Sequence, residues 1–394
     1  MKRAAVVGAL FLMSVLFYVD RAAMSSAIEP MSKELGFSLQ RQGFIMSMFA
    51  LGYALAQIPG GWMADRFGPR LVLTGCVIGW SVFTGLTGLA WSLVALVVVR
   101  FLFGVAEAGA LPACARVFFN WLPARERGRA NGISFSGMRL GAALSFPLFA
   151  WMLGTWTWRQ CFLIFGAAGV VWGVFWYVGF RDHPAEPPEK ALEAAAPRTY
   201  GRILATPGMI LNMVQYFAGN FTFFICLSWM LPYLKKQYAL TADQAAGYAM
   251  VPLLFATGSL WITGFLVDGL YRSRWRSWSR RLPAILGFGL AVGGLLALTQ
   301  AKTPWGAVAC FTVATFGADM TISPSWQYCV DIGGKISGTV SGTMNMVGNV
   351  GSFVSANVFP WLLSLTGSAS TYFTVAAALN AAAILCWLGM RPPK

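Results

Sequence analysis

Two charged residues, Arg100 and Glu107, lie inside one of the most apolar stretches of the chain, residues 97–113 (VVVRFLFGVAEAGALPA). A charge at the centre of a bilayer costs roughly 2.5–3.5 kcal/mol even on the lenient insertion scale. The two residues are seven apart, so a helix places them on one face, about 10 Å apart along its axis. That face must look at protein or at a water-filled cavity. Arginine is a permanent cation that binds carboxylate or phosphate, whereas a buried glutamate can exchange a proton.

Four further charges lie within apolar runs: Asp20, Arg21, Arg139 and Asp319. Three intramembrane arginines indicate an anionic substrate, since guanidinium forms paired hydrogen bonds with carboxylates and phosphates. Burial opposes ionisation of a carboxyl group and a nearby arginine favours it. A carboxylate under both influences can take up and release a proton. A substrate anion that competes for the same arginine would couple the two events.

Three further groups of candidate residues recur at helical spacing in the spans of the second half of the chain. These stripes either line a cavity or join helices through hydrogen bonds. They are Tyr216 and Asn220; Asp319, Ser323 and Trp326; and Asn345, Asn349 and Ser352.

The elements that must position these residues are membrane-spanning helices. The chain has 394 residues, of which 57% are hydrophobic and 11% charged, and its mean hydropathy is +0.62. Apolar runs of about 20 residues predict an all-α polytopic membrane protein. The first run leads into Asp20-Arg21 rather than a cleavage site, so we expect it to be retained.

Twelve spans are predicted, near 4–28, 41–64, 70–90, 92–115, 129–152, 160–180, 207–234, 243–267, 283–301, 304–328, 336–363 and 369–390. The third of these offers no candidate for function.

The net charge of +15 is explained by orientation and not by nucleic-acid binding. With the N-terminus in the cytoplasm, twenty basic residues fall on the inner side and six on the outer side, which follows the positive-inside rule. Both termini are then cytoplasmic. The cluster RSRWRSWSRR (272–281) is expected to form an inner-surface loop that meets anionic lipid.

Enzyme chemistry is not indicated. The only histidine, His183, is in a loop, and the seven cysteines form no CxxC pair, which favours packing roles. No nucleophile arrangement, metal cluster or phosphate-binding loop is present, and no soluble domain could serve a sensor. We expect no cofactor, with protons as the coupling ion. We also expect the protein to be a monomer.

The chain divides into two six-helix halves, residues 1–180 and 207–394, joined by a Pro-rich cytoplasmic linker at 181–206. A weak internal repeat relates the halves. Gly264 and Asp268 echo Gly61 and Asp65, and the glycine pairs 132/342 and 141/351 share an offset of 210. Such repeats are expected to place a binding site between them near the midplane of the membrane.

The second span ends in G-x-x-x-D-R-x-G-x-R, formed by Gly61, Asp65, Arg66, Gly68 and Arg70. This sequence resembles the loop 2–3 signature of the major facilitator superfamily. The resemblance implies a transporter fold and a role of these residues, with Gly264 and Asp268, in gating. It carries no information on the substrate.

Further motifs resemble the bacterial anion:cation symporters of that superfamily. They are Y-x-D-R (18–21), RFLFGVAEAGALPA (100–113), Trp326-x-x-x-x-Asp331-Ile-Gly-Gly and SGTMNMVGN (341–349). That group includes hexuronate, galactonate and glucarate transporters, with vesicular glutamate transporters and sialin as distant relatives. The resemblance implies that Asp20 and Glu107 handle the proton and that Arg21 and Arg100 bind the anion and gate. It further implies that Tyr18, Tyr53, Asn345 and Asn349 touch the substrate. Arg139 and Asp319 are candidates from their positions alone.

The sequence therefore predicts a proton-coupled symporter of a small organic anion, with a sugar acid such as a hexuronate or aldonate as the expected substrate. Its expected place is the bacterial inner membrane. An organophosphate/phosphate exchanger is an alternative, although it would need a basic residue in the seventh span, which has none before Lys235. Drug efflux would share the loop motif but not three buried arginines. A membrane sensor or membrane enzyme is disfavoured by the features above.

Overall fold

The computed structural model describes residues 3–183 and 199–390. Most of the predicted linker, residues 184–198, lies outside them. The described residues form sixteen α-helices and no strand, which confirms the all-α fold class. The first eight helices are α1 Arg3–Leu35, α2 Leu39–Phe67, α3 Pro69–Gly88, α4 Leu93–Glu107, α5 Ala110–Trp121, α6 Arg127–Leu153, α7 Trp158–Gly179 and α8 Tyr200–Leu204. The second eight are α9 Pro207–Ser228, α10 Met230–Gln237, α11 Ala242–Arg272, α12 Arg281–Leu298, α13 Pro304–Met320, α14 Ile322–Gly333, α15 Ser337–Thr366 and α16 Ser370–Gly389.

Each of the twelve predicted spans corresponds to one helix or to a pair of consecutive helices. Among the described residues, nine helical stretches are long and apolar enough to cross a membrane. One of them, Pro304–Thr366, runs through two of the predicted spans.

Spans 4, 7 and 10 are each broken in two, which the sequence analysis did not anticipate. The breaks separate α4 from α5, α9 from α10, and α13 from α14. In each case a proline is the third residue of the second helix: Pro112, Pro232 and Pro324. Proline has no N–H to bond the carbonyl four residues earlier, which weakens a helix at that point and favours a kink or a break. The break in span 4 comes directly after Glu107.

Local sequence sets several helix starts. The Thr157 hydroxyl accepts a hydrogen bond from the Gln160 backbone N–H, and the Gln160 side chain accepts one from the Thr157 N–H. Thr241 and Gln244 form the same capping box at α11. Such a box satisfies two backbone donors that a helix start leaves unpaired.

Contacts divide the chain into two compact units. Unit 1 comprises Met1–Pro123, Gly137–Ala195 and Gly333–Met346, and unit 2 comprises Ala124–Ser136, Ala196–Ile332 and Val347–Lys394. The first ten residues of α6 therefore belong to unit 2, and the first ten of α15 belong to unit 1. Unit 1 has an apolar cluster around Met24, Phe149 and Phe162. Unit 2 has clusters around Phe311 and Tyr372, and around Phe288 and Trp387.

Candidate anion and proton site

The central feature of unit 1 is an ion pair between the first and fourth spans. The Nε of Arg21, on α1, donates to Oε2 of Glu107 at 2.8 Å. The Glu107 side chain is fully buried, and the Arg21 side chain is 21% exposed. Glu107 is the last residue of α4, so the break in the span falls at the carboxylate itself. Arg100 and Glu107 lie on the same helix, but the hydrogen-bond partner of Glu107 is Arg21, on α1.

The guanidinium of Arg21 is enclosed by four aromatic rings from α1 and α2. Its central carbon lies 4.3 Å from the ring centroid of Phe17, 4.4 Å from that of Tyr53, 4.7 Å from that of Phe49 and 5.3 Å from that of Tyr18. A cation over an aromatic face is attracted by the negative potential of the ring. The rings therefore replace part of the water that a solvated guanidinium would hold.

Asp20, next to Arg21 in the chain, points to a different neighbour. Its Oδ2 accepts a hydrogen bond from the indole Nε1 of Trp80 on α3 at 3.0 Å. Asp20 is 3% exposed and interacts electrostatically with both Glu107 and Arg100. The third span, which the sequence analysis set aside as uninformative, thus supplies the residue that holds Asp20.

Arg100 is buried, and no carboxylate among the described residues forms a hydrogen bond with it. It is 2% exposed, and its central carbon lies 4.9 Å from the Phe103 ring centroid and 5.9 Å from that of Phe162. Its Nε and Nη2 have no hydrogen-bond partner among the described residues. Buried donors of a charged group are expensive to leave unpaired, and these two are available to an anion.

Oxygen and nitrogen atoms with unused bonding capacity also remain at the ion pair. Oε1 of Glu107 and Nη2 of Arg21 are buried and have no hydrogen-bond partner within the described part of the chain. The pair is therefore held by one hydrogen bond and not by the two-bond fork that arginine and carboxylate can form. One further acceptor and one further donor are open to a proton and an anion.

Two polar side chains, those of Gln57 and Asn345, lie beside Tyr53 in unit 1. Asn345, near the start of α15, donates its Nδ2 to Gln57 Oε1 at 3.1 Å and to the Tyr53 hydroxyl at 3.4 Å. Tyr53 is 2% exposed and Gln57 is fully buried. Tyr53 thus connects this amide group to the ring enclosure of Arg21. The sequence analysis did not select Gln57, although a glutamine one turn after Tyr53 in an apolar span was a usable signal.

Arg139, on α6, belongs to the same unit. It is 3% exposed, and its central carbon lies 6.0 Å from the Tyr18 ring centroid. The guanidinium of Arg21 contacts the same ring. The structure therefore brings Tyr18, Arg21 and Arg139 together.

The other candidates lie in unit 2. The Tyr216 hydroxyl accepts a hydrogen bond from Trp326 Nε1 at 2.8 Å, and Asn220 donates to the Tyr216 backbone carbonyl. Asp319, at the end of α13, is 1% exposed, and Asn349, in α15, is half-buried. Tyr216 and Asn220 form the predicted pair on one face of α9.

The G-x-x-x-D-R-x-G-x-R motif, which begins in the last turns of α2, binds the start of α15 through Asp65. Asp65 accepts hydrogen bonds from the Gly338 N–H at 2.9 Å, the Thr339 N–H at 2.7 Å and the Thr339 hydroxyl at 2.6 Å. A carboxylate is stabilised at a helix start by the unpaired N–H groups and the helix dipole. The helices touch closely there, since a methyl group on Gly338 would come within 2.7 Å of the Gly61 carbonyl oxygen.

The rest of the motif shapes the turn between α2 and α3. Gly68 has φ +86°, a conformation that residues with a side chain rarely adopt. The Arg70 N–H donates to Asp182 Oδ1, and the Arg70 guanidinium donates to the Tyr177 carbonyl at 2.6 and 2.8 Å. Arg66 is exposed and lies over the Trp62 ring.

Unit 2 contains the corresponding arrangement at the start of α6. Asp268 accepts hydrogen bonds from the Gly128 and Arg129 N–H groups, both at 3.0 Å, and from Arg129 Nε at 3.1 Å. A methyl group on Gly264 would come within 2.8 Å of the Gly128 carbonyl oxygen. Gly128 and Gly338 are 210 residues apart, the offset of the predicted repeat. The repeat is therefore visible in contacts as well as in sequence.

The basic cluster at 272–281 is only partly exposed. Arg280 is 4% exposed, and its guanidinium donates to Asp331 Oδ2 at 3.2 Å. Arg127 lies 3.6 Å from the other oxygen of Asp331. Arg272, Arg274 and Arg276 are exposed. The expectation that the cluster meets lipid is thus wrong for Arg280, because it forms a buried ion pair.

The chain is similar in sequence and in fold to known membrane transporters. A sequence model described as Major Facilitator Superfamily matches residues 10–356. The probable sulfoacetate transporter SauU of Cupriavidus necator is 32% identical, over 98% of this chain and 93% of that protein. The probable galactarate/D-glucarate transporter GarP of Escherichia coli K12 is 31% identical, over 96% and 92%. The solved structure of the proton:xylose symporter XylE is 14% identical with a TM-score of 0.78, over 98% and 95%, which is a likeness of fold.

Proposed function

Because the chain belongs to the major facilitator superfamily and is therefore a membrane transporter and not an enzyme, we propose that it carries out proton-coupled symport of a small organic anion by alternating access. The homologues transport organic anions. Sugar acids and sulfoacetate are the substrates named for these relatives. A guanidinium can donate hydrogen bonds to the carboxylate of a sugar acid and to the sulfonate of sulfoacetate. We place the protein in a bacterial inner membrane with both termini in the cytoplasm, as a monomer.

The observation that carries the proposal is the single hydrogen bond between Arg21 and Glu107 in a buried setting. When Glu107 is ionised, it occupies Arg21. When Glu107 takes a proton, its attraction for the guanidinium falls, and Arg21 becomes available to a substrate carboxylate or sulfonate. A proton and an anion then enter together, because each favours the state that accepts the other.

Arg100 and Asp20 support this exchange. Arg100 keeps a permanent positive charge within electrostatic range of both carboxylates, and its two unpaired nitrogens offer a second contact to the anion. Trp80 holds Asp20 in place, so that Asp20 serves as a second station for the proton. Asp65 and Asp268 each accept hydrogen bonds from the first residues of another helix, and they would gate the conformational cycle.

The proposal is tested with purified protein in proteoliposomes. An inward proton gradient is imposed, and uptake of labelled glucuronate, galacturonate, galactonate, glucarate, sulfoacetate and glutamate is measured. We expect at least one carboxylate or sulfonate to accumulate, and a protonophore to abolish the accumulation. If no such anion is taken up while a phosphorylated sugar exchanges with phosphate, the symport proposal is wrong.

A further inference from the structure

We propose that Gln57 is a substrate-binding residue whose side-chain N–H bonds an oxygen of the transported anion outside its acid group, which makes the substrate a hydroxy or keto acid. This inference rests on the proposed function and narrows its substrate class. None of the roles above requires Gln57.

The orientation of the Gln57 amide is set by its neighbour. Asn345 Nδ2 donates to Gln57 Oε1 at 3.1 Å and to the Tyr53 hydroxyl at 3.4 Å. Because the amide oxygen of Gln57 faces Asn345, its Nε2 must point away from that residue. The surroundings are tight, since a methyl group on Gly342 would come within 2.6 Å of the Gln57 backbone oxygen.

The Nε2 atom of Gln57 has no acceptor in good hydrogen-bond geometry within the described part of the chain, although the Tyr53 hydroxyl lies near the Gln57 side chain. Gln57 is fully buried, and Nε2 has no hydrogen-bond partner among residues 3–183 and 199–390. A buried donor without a partner carries its full desolvation cost, and an acceptor atom of a bound anion would remove that cost.

The position of Gln57 indicates which kind of ligand atom could accept a hydrogen bond from its N–H. It lies one helical turn from Tyr53, whose ring contacts the Arg21 guanidinium at 4.4 Å. An anion held by Arg21 is therefore next to Tyr53, and the part of it that extends along α2 meets Gln57. A neutral amide N–H recognises a hydroxyl or carbonyl oxygen, whereas the arginines take the acid group.

The diagnostic variant is Gln57→Glu. Glutamate keeps an oxygen that can accept from Asn345 and loses the N–H, so it separates substrate binding from support of Asn345. Gln57→Met removes both functions at similar size and serves if the buried glutamate impairs folding. Gln300→Glu, at an exposed position, is the matched control.

The measurement is counterflow of labelled D-galactonate in proteoliposomes, competed by unlabelled D-galactonate and by its monodeoxy analogues. In the wild type, we expect one deoxy analogue to compete about tenfold more weakly than the parent, the effect of one hydrogen bond. In both Gln57 variants that difference should vanish, while Gln300→Glu should keep it. Size-exclusion profile and apparent Tm establish that each variant is folded.

The outcomes are distinct. If the folded Gln57 variants discriminate between the analogues as the wild type does, Gln57 does not bind substrate, and the symport proposal is unaffected. If the wild type takes up sulfoacetate or another anion without hydroxyl or keto groups and does not bind D-galactonate, the hydroxy-acid inference fails alone. If the wild type takes up no organic anion, both proposals fail.

Discussion

The indole N–H of Trp80 donates to Asp20 Oδ2 at 3.0 Å, which links the apolar third span to the charged first span. Replacing Trp80 with Phe keeps a ring against Phe17, which Trp80 contacts edge-on, and removes the donor. Leaving a buried acceptor without its donor costs about 1–3 kcal/mol. We therefore expect Trp80→Phe to lower the apparent Tm and to slow uptake. Trp91→Phe is the control, because Trp91 is 77% exposed, and an equal loss in that variant would contradict a specific role of the bond.

Glu107→Gln should separate proton coupling from anion binding. Glutamine can still accept a hydrogen bond from Arg21 Nε, but it cannot carry a proton. We expect accumulation driven by a proton gradient to be lost, while exchange of labelled for unlabelled substrate continues. The two assays are run on the same proteoliposomes. Loss of exchange together with accumulation would instead assign Glu107 a structural role beside Arg21.

Arg100→Lys should weaken substrate binding although it keeps the positive charge. The ammonium group lacks the planar fork that grips an acid group, and the Nε and Nη2 donors that lack a partner in the described structure disappear. We expect KM for the transported anion to rise at least tenfold. The concentration dependence of initial uptake gives KM, and Arg274→Lys, at an exposed position, is the control. A fall in maximal rate at unchanged KM would show that Arg100 acts in gating only.

Asp65→Asn and Asp268→Asn should act alike, since each aspartate binds two backbone N–H groups at a helix start. Asparagine keeps one acceptor oxygen and loses the charge that the helix dipole favours. We expect slower transport with nearly unchanged substrate affinity in both variants. Tryptophan-fluorescence titration measures affinity, and uptake measures rate. Opposite effects of the two substitutions would contradict the functional equivalence of the repeated contacts.

Glu34 gives a pH-dependent prediction outside the predicted spans. Hydrogen bonds from Trp158 Nε1 at 2.6 Å and from Arg159 lower the pKa of its carboxyl group. A carboxylate whose pKa is lower in the folded protein stabilises the fold above its unfolded pKa, and this contribution is lost as the pH falls through the folded value. Glu34→Gln should therefore lower the apparent Tm at pH 7, and this effect should shrink as the pH is lowered through the folded pKa of Glu34. Because Glu34 is 47% exposed, the change should be small. A Tm difference that is independent of pH would contradict the ionic origin of the contact.

The sequence was sufficient for the spans and for the charged residues but not for their partners. Apolar runs of bilayer length predicted twelve spans, and each corresponds to one helix or to a pair of consecutive helices, since a helix satisfies its own backbone groups in lipid. Asp20 and Arg21 were identified, but which of them would face Trp80 and which Glu107 depends on helix rotation, which the local sequence does not encode. Gln57 and Trp80 were missed because neither is charged. The breaks at Pro112, Pro232 and Pro324 could not be located from proline alone, because Pro30, Pro59 and Pro252 lie inside unbroken helices.

The four rings around Arg21 have a consequence for selectivity. Part of the water of this guanidinium is replaced by Phe17, Tyr18, Phe49 and Tyr53 when the protein folds. An arriving anion then gives up mainly its own hydration shell, and the energy of that loss differs among anions. Weakly hydrated acid groups such as sulfonates lose least, and doubly charged phosphates lose most. The preference among anions at this site should therefore follow the Hofmeister order.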